Sequence, residues 1–163
     1  MLAIVFTDIV EATTMGNEVG DEEMNEVSGD HFAQGRKLLQ KHKGREIKTI
    51  GDAFMAAFHS VDAALDFALA LQSNPGHPQI QVRAGIHVGA MQVKGNDVSG
   101  LTVNFAARVV QAITGAEIWL SDRAKEDIDD LRAKRHGTLK WERHEAVVMK
   151  GFPGTFKLWS LSK

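Results

Sequence analysis

The chain has 163 residues, 44% of them hydrophobic and 25% charged, with a formal net charge of -2 and a pI near 6.4. That length suits one domain over residues 1–163, and that charge balance excludes the strongly basic surface typical of nucleic-acid binders. Zero cysteines exclude a disulfide framework and thiolate metal sites, and no apolar run approaches the roughly 20 residues of a membrane span. The N-terminus has no basic, cleavable leader pattern. The expected setting is cytoplasmic, or the cytosolic catalytic module of a larger protein, with no nucleic acid and no direct membrane contact.

In chain order, residues 2–8 are apolar almost throughout, which predicts a central strand buried on both faces. A short helix or turn begins over 13–16. Residues 21–42 predict a long helix whose Met24, Val27, His31, Leu38 and Leu39 share one face, stopped by Gly44. Two β-prone runs, 46–50 and 53–58, meet at Gly51-Asp52, a hairpin signal in which glycine supplies positive φ. Ser60 caps a helix to about residue 73 that is apolar nearly all round, hence buried. Residues 74–78 are a loop. Residues 80–91 alternate as a strand, with Gly89 marking a bend before 92–94, and Gly95-Asn96-Asp97 is a turn. Ser99 or Thr102 starts a helix carrying Val103, Ala106, Ala107, Val110 and Ile113, closed by Gly115 at its C′ position. A strand over 117–120 leads to Ser121, which caps a helix over 122–133. After a loop at 135–137, residues 141–149 and 155–161 read as closing strands. This order predicts an α+β fold, a mainly antiparallel sheet with helices packed on it.

Asp8 and Asp52 are each delivered by a strand end. Magnesium binds oxygen, often through one or two carboxylates plus substrate phosphates, and two metal ions can clamp the attacking and leaving oxygens of an in-line displacement. Taken singly, Asp8 reads first as a strand-end cap and Asp52 as an ordinary turn residue. Asn104 and Arg108 stand four apart on one helix and share a face. Such an arginine can stabilise charge on a phosphoryl group and such an asparagine can orient a ribose or phosphate oxygen, or both can line a solvated face. Lys150 precedes a Gly-Phe-Pro-Gly turn, where a lysine can hold a triphosphate as a point charge or simply sit at the surface. His31 and His87 read as packed histidines. There is no nucleophile elbow, zinc-ligand spacing or Walker A loop.

Five segments recur in a telling order: Phe6-Thr7-Asp8-Ile9-Val10, Ile47-Lys48-Thr49-Ile50-Gly51-Asp52, Ala84-Gly85-Ile86-His87-Val88-Gly89, Thr102-Val103-Asn104-Phe105-Ala106-Ala107-Arg108 and Met149-Lys150-Gly151. Together they resemble the catalytic domain of the class III nucleotidyl cyclases, of the compact bacterial kind, over essentially the whole chain. The resemblance implies a ferredoxin-like, palm-type sheet and a head-to-tail homodimer with shared active sites. It implies two divalent cations, Mg2+ or Mn2+, held by Asp8 and Asp52 with the Ile9 carbonyl. Lys48 and Asp97 match the adenine-reading pair, where guanylate cyclases of the family carry an acidic residue and a small polar one or cysteine, so the implied substrate is ATP. Asn104 matches the ribose-positioning residue, Arg108 the transition-state arginine and Lys150 the terminal-phosphate lysine. Thr13, at the start of the first helix, joins the substrate-binding set. Two positions depart from the pattern: Glu11 stands where glycine is common, and Ala90 where mammalian-type members carry a phosphate-binding arginine. A guanylate cyclase and a cyclase-like domain that only senses nucleotide or dimerises are the competing expectations.

Overall fold

The structure is a computed structural model that describes residues 2–132 and 139–162. A seven-stranded sheet forms its centre, in the order β2-β3-β1-β4-β7-β9-β8. The strands are β1 (Leu2–Ile9), β2 (Arg45–Ile50), β3 (Ala53–Phe58), β4 (Val82–Gly89), β7 (Ile118–Ser121), β8 (Lys140–Val148) and β9 (Thr155–Ser162). All neighbours pair antiparallel except β4 and β7, which run parallel. A separate ribbon joins β5 (Gln92–Lys94) to β6 (Asp97–Ser99). The helices are α1 (Ala12–Val19), α2 (Asp21–Lys41), α3 (Val61–Ser73), α4 (Leu101–Gln111) and α5 (Asp122–Arg132). The α+β expectation holds, and β1 is central as its apolar run requires: Ala3, Ile4 and Val5 are fully buried between β3 and β4.

The sheet's two faces are covered differently. Val27 and Leu39 of α2, Leu65, Phe67 and Leu71 of α3 and Ile128 of α5 form one large core with Val5, Phe54, Phe58 and Ile86. On the other face Val103, Ala106 and Val110 of α4 pack on Ile4, Phe6, Met55 and Ala57. Close approach of α4 to β4 depends on Gly85, where an added Cβ would lie 2.6 Å from the Val110 backbone nitrogen. Ser60 and Ser121 act as the expected N-caps, accepting from the N–H groups of Ala63 and Ala124 at 3.1 and 3.2 Å. Both histidines are packed: His31 Nδ1 lies 2.7 Å from the Pro75 carbonyl, and His87 Nδ1 lies 2.6 Å from Ser121 Oγ with its ring 4.5 Å from that of Phe105.

Several boundaries differ from expectation. The strand expected over 80–91 is confined to Val82–Gly89, the stretch that pairs with β1. Asp97 is not in the turn, which is Gly95-Asn96, but opens β6 opposite Lys94. Gly100, at φ 118, is the N-cap of α4 rather than Ser99 or Thr102. That helix ends at Gln111 with Ala112 as C-cap, so Gly115 does not close it. Ile113 still packs in the α4 core although it lies past the helix. Ala133 and the loop expected at 135–137 lie outside the described residues.

Candidate active site

The sequence-predicted residues fall into three clusters. The first lies where β1 ends beside the β2–β3 turn. Gly51, at φ 60, allows that tight turn, and the backbone N–H of Ile9 donates to Asp52 Oδ2 at 3.2 Å, joining turn and strand end. Asp8 stands directly across the ladder from Arg83 of β4. Arg83 donates to Asp8 Oδ2 twice, from Nη2 at 2.7 Å and Nε at 3.2 Å. These groups and Thr13 line a hollow of about 220 Å³.

The two carboxylates share their environment unequally. Burial opposes the charge on Asp8, but the hydrogen bonds from Asp52 and Arg83 and the Arg83 charge outweigh it, so its pKa lies below the ordinary carboxylate value. Burial of Asp52, with its hydrogen bond to Asp8 and the Asp8 charge, pushes its pKa up to about 6. Crowded carboxylates of this kind are what a divalent cation would relieve. Among the described residues no group of three or more His, Asp or Glu side chains could hold a metal. Two carboxylates still suit Mg2+, which takes few protein ligands when phosphates complete its shell.

Glu11, just before α1, is in the left-handed region at φ 56, ψ 40, and its side chain caps nothing. A non-glycine residue is strained there, which gives a backbone reason for glycine at this position. Glu11 lines the same hollow as Asp8 and Asp52.

The second cluster is Lys48 and Asp97. The β2–β3 register shifts between Glu46 and Lys48, and Lys48 Nζ lies 3.1 Å from Asp97 Oδ1 on β6. That bond from Lys48, with the Val98 N–H at 2.8 Å, holds the Asp97 carboxyl below the usual range. Both side chains remain about half exposed, so the pair is open to a ligand.

The third cluster combines α4 with the turn after β8. Asn104, Arg108 and Lys150 line a hollow of about 360 Å³ that shares no residue with the acidic one. Arg108 Nη1 donates to Gln111 Oε1 at 2.6 Å, one turn along its own helix. Within one chain, then, the residues expected to handle phosphate charge do not meet the two aspartates. Arg83 is the site residue that sequence reasoning missed. Its signal lay in the register: only when β4 is placed beside β1 does an arginine fall opposite Asp8.

The sequence model of the adenylate and guanylate cyclase catalytic domain family matches residues 1–163. An uncharacterized protein of Mycobacterium tuberculosis is 28% identical over 148 residues, covering 90% of this chain and 39% of its own length. An adenylate cyclase of Streptomyces coelicolor is 31% identical over 110 residues, covering 66% of this chain and 29% of its own. The chain thus spans less than two fifths of the length of these curated relatives. Among solved structures, one of Trypanosoma brucei adenylate cyclases in their monomeric state superposes with a TM-score of 0.85 at 22% identity, over 98% of this chain and 87% of that one. At that identity the likeness speaks for the fold.

Proposed function

Since the chain belongs to the class III adenylate and guanylate cyclase catalytic domains, we propose that residues 1–163 form a single catalytic domain acting as an adenylate cyclase, which converts ATP to 3′,5′-cyclic AMP and pyrophosphate. The observation that carries the choice of ATP is the Lys48–Asp97 pair, joined at 3.1 Å and open to solvent. An ammonium donates and a carboxylate accepts. Adenine offers the complement, an acceptor ring nitrogen beside a donor amine; guanine offers a ring N–H beside a carbonyl, the reverse pattern.

Asp8, Asp52 and the Ile9 carbonyl would hold two divalent cations, Mg2+ or Mn2+. When bound, such ions supply Lewis-acid stabilisation of the entering and leaving oxygens. In the reaction the ribose 3′-oxygen forms a bond to the α-phosphorus, the bond from that phosphorus to the β-phosphate bridging oxygen breaks, and the hydroxyl proton is released. Asn104 holds the ribose so that the 3′-oxygen lies in line. Arg108 stabilises charge that grows on the α-phosphoryl oxygens. Lys150 holds the terminal phosphates, and Thr13 lines the substrate's path beside the first aspartate. Orientation and fixed charge supply most of the acceleration.

One chain holds only halves. The acidic hollow and the Asn104/Arg108/Lys150 hollow share no lining residue. A head-to-tail homodimer would bring the acidic half of one copy to the cationic half of the other, forming two grooves. Ile50, on the hairpin, and Leu101, at the start of α4, are 55% and 75% exposed and give such an interface apolar contacts.

Assays of cyclic AMP and cyclic GMP from ATP and GTP, in magnesium and then manganese, test this reading. Cyclic AMP should exceed cyclic GMP by at least about tenfold, since a site with hydrogen-bonding groups placed for one base leaves them unpaired with the other. Predominant cyclic GMP would make the chain a guanylate cyclase. Neither product in manganese would leave nucleotide sensing or dimerisation as its role.

A further inference from the structure

We infer that Arg83 is a positioning residue for the metal half of the site: it fixes the Asp8 carboxylate for cation binding. The inference rests on the cyclase reading. Arg83 occupies β4 at the register position facing Asp8, so the two side chains meet across adjacent strands. Two of its N–H groups end on one oxygen, Oδ2, at 2.7 and 3.2 Å. The fork therefore pins one oxygen of the carboxylate rather than closing over both. The remaining terminal nitrogen, Nη1, donates to the Ile113 carbonyl at 2.5 Å. Ile113 is 1% exposed, so this anchor belongs to the packed core just past α4.

The arrangement uses the planar guanidinium fully. One side group satisfies a carboxylate and a carbonyl in fixed directions at once, which a lysine ammonium on a flexible stem cannot reproduce. The ion pair is only about a quarter exposed, so water competes weakly for either partner. Asp8 shares its hollow with a second carboxylate, Asp52. Without Arg83, Asp8 would lose the two bonds that aim it. Partners of this kind behind a metal ligand are worth roughly 10–100-fold in metal affinity or activity.

The half-site arrangement allows a test of which half Arg83 serves. Arg83→Lys and Arg83→Gln are made in the full chain, and each is mixed with Asp52→Ala or with Arg108→Ala. Asp52→Ala mixed with Arg108→Ala serves as control, since that heterodimer keeps one complete groove. In the Arg108→Ala mixture, an Arg83 variant needs to supply only its α4 half; in the Asp52→Ala mixture it must supply the metal half. We expect both Arg83 variants to turn over ATP at least about tenfold more slowly alone, with KM for ATP changed by less than about twofold. Activity should return with Arg108→Ala and not with Asp52→Ala. Titration of each variant with Mn2+ alone, followed by electron paramagnetic resonance of the free ion, should show binding weakened by about tenfold.

Several results would overturn the assignment. They are recovery with Asp52→Ala instead, recovery with neither in mixtures shown to contain folded heterodimers, undiminished Mn2+ binding, or an Arg83→Lys chain as active as the parent. Failure of both variants to fold would place Arg83 in the scaffold and end the proposal equally. An inactive parent or control mixture would instead count against the cyclase reading or the shared groove, and the Mn2+ titration would still judge Arg83.

Discussion

The acidic hollow and the α4 hollow are built on opposite terms. At the acidic end both aspartates are held: Asp52 accepts from the Ile9 backbone, and Asp8 is bound by Arg83, itself anchored to Ile113. At the cationic end the groups stand apart. Asn104 and Lys150 are exposed, and the Arg108 guanidinium bonds Gln111 on its own helix. The difference teaches that one half is organised in advance around concentrated negative charge, whereas the other presents donors that, on the proposed function, would gain charged partners when an anion arrives. Substrate phosphates, carried on the acidic half of a second copy, would be that anion.

The largest effect should come from the organised half. Asp8→Ala and Asp52→Ala should each lower cyclic AMP formation to background while circular dichroism shows a folded chain, because a remaining lone carboxylate cannot hold two cations. Next comes the looser half. Arg108→Ala should reduce kcat about 100-fold or more with little change in KM, since its charge partner develops only in the transition state. Lys150→Ala should act mainly on KM, about tenfold, because the terminal phosphates are charged in ground and transition states alike. A change confined to KM for Arg108→Ala would erase the distinction between these two cations.

Smaller effects sharpen the contrast. Glu11→Gly removes a residue from the left-handed region and a carboxylate from the hollow where phosphates would lie. Thermal unfolding should move up by about 2–4 °C, corresponding to about 1 kcal/mol, and KM for ATP should fall. An unchanged KM would show that the Glu11 carboxylate turns away from the substrate. The smallest effect is a pH effect at a residue that lines neither hollow. Burial, then the Arg123 charge, pushes the His87 pKa down from 6.5 to about 4. The unfolded chain therefore binds a proton there before the native one does, so stability present above pH 6.5 is lost as pH falls towards 4. Asp122, Arg123 and Lys157 line the hollow beside the ring. His87→Gln should show a smaller drop in Tm between pH 7 and 5 than the parent chain.

What sequence could reveal about these regions followed from how local each signal was. Ser60 and Ser121 announce helices because a cap needs only its own next three residues. The Gly51-Asp52 turn is legible for the same reason, and the apolar run of β1 reports its central place directly. The pairing of Asp8 with Arg83 is not local: 75 positions separate them, and the contact exists only through the β1–β4 register. Gly115 misled because glycine commonly ends helices, whereas α4 stops at Gln111 and its chain continues through Ile113 to meet Arg83. Asp97 looked like a turn residue by composition, yet the short ribbon carries it into β6 and against Lys48.

The most direct test of the two-halves account is complementation between Asp52→Ala and Arg108→Ala chains. Each alone should be nearly inactive. Their equimolar mixture should regain up to about a quarter of the parent activity, since random pairing makes half the molecules heterodimers with one of two grooves intact. Dilution to monomers should abolish the gain. Heterodimers that form and remain as inactive as either parent would contradict the account.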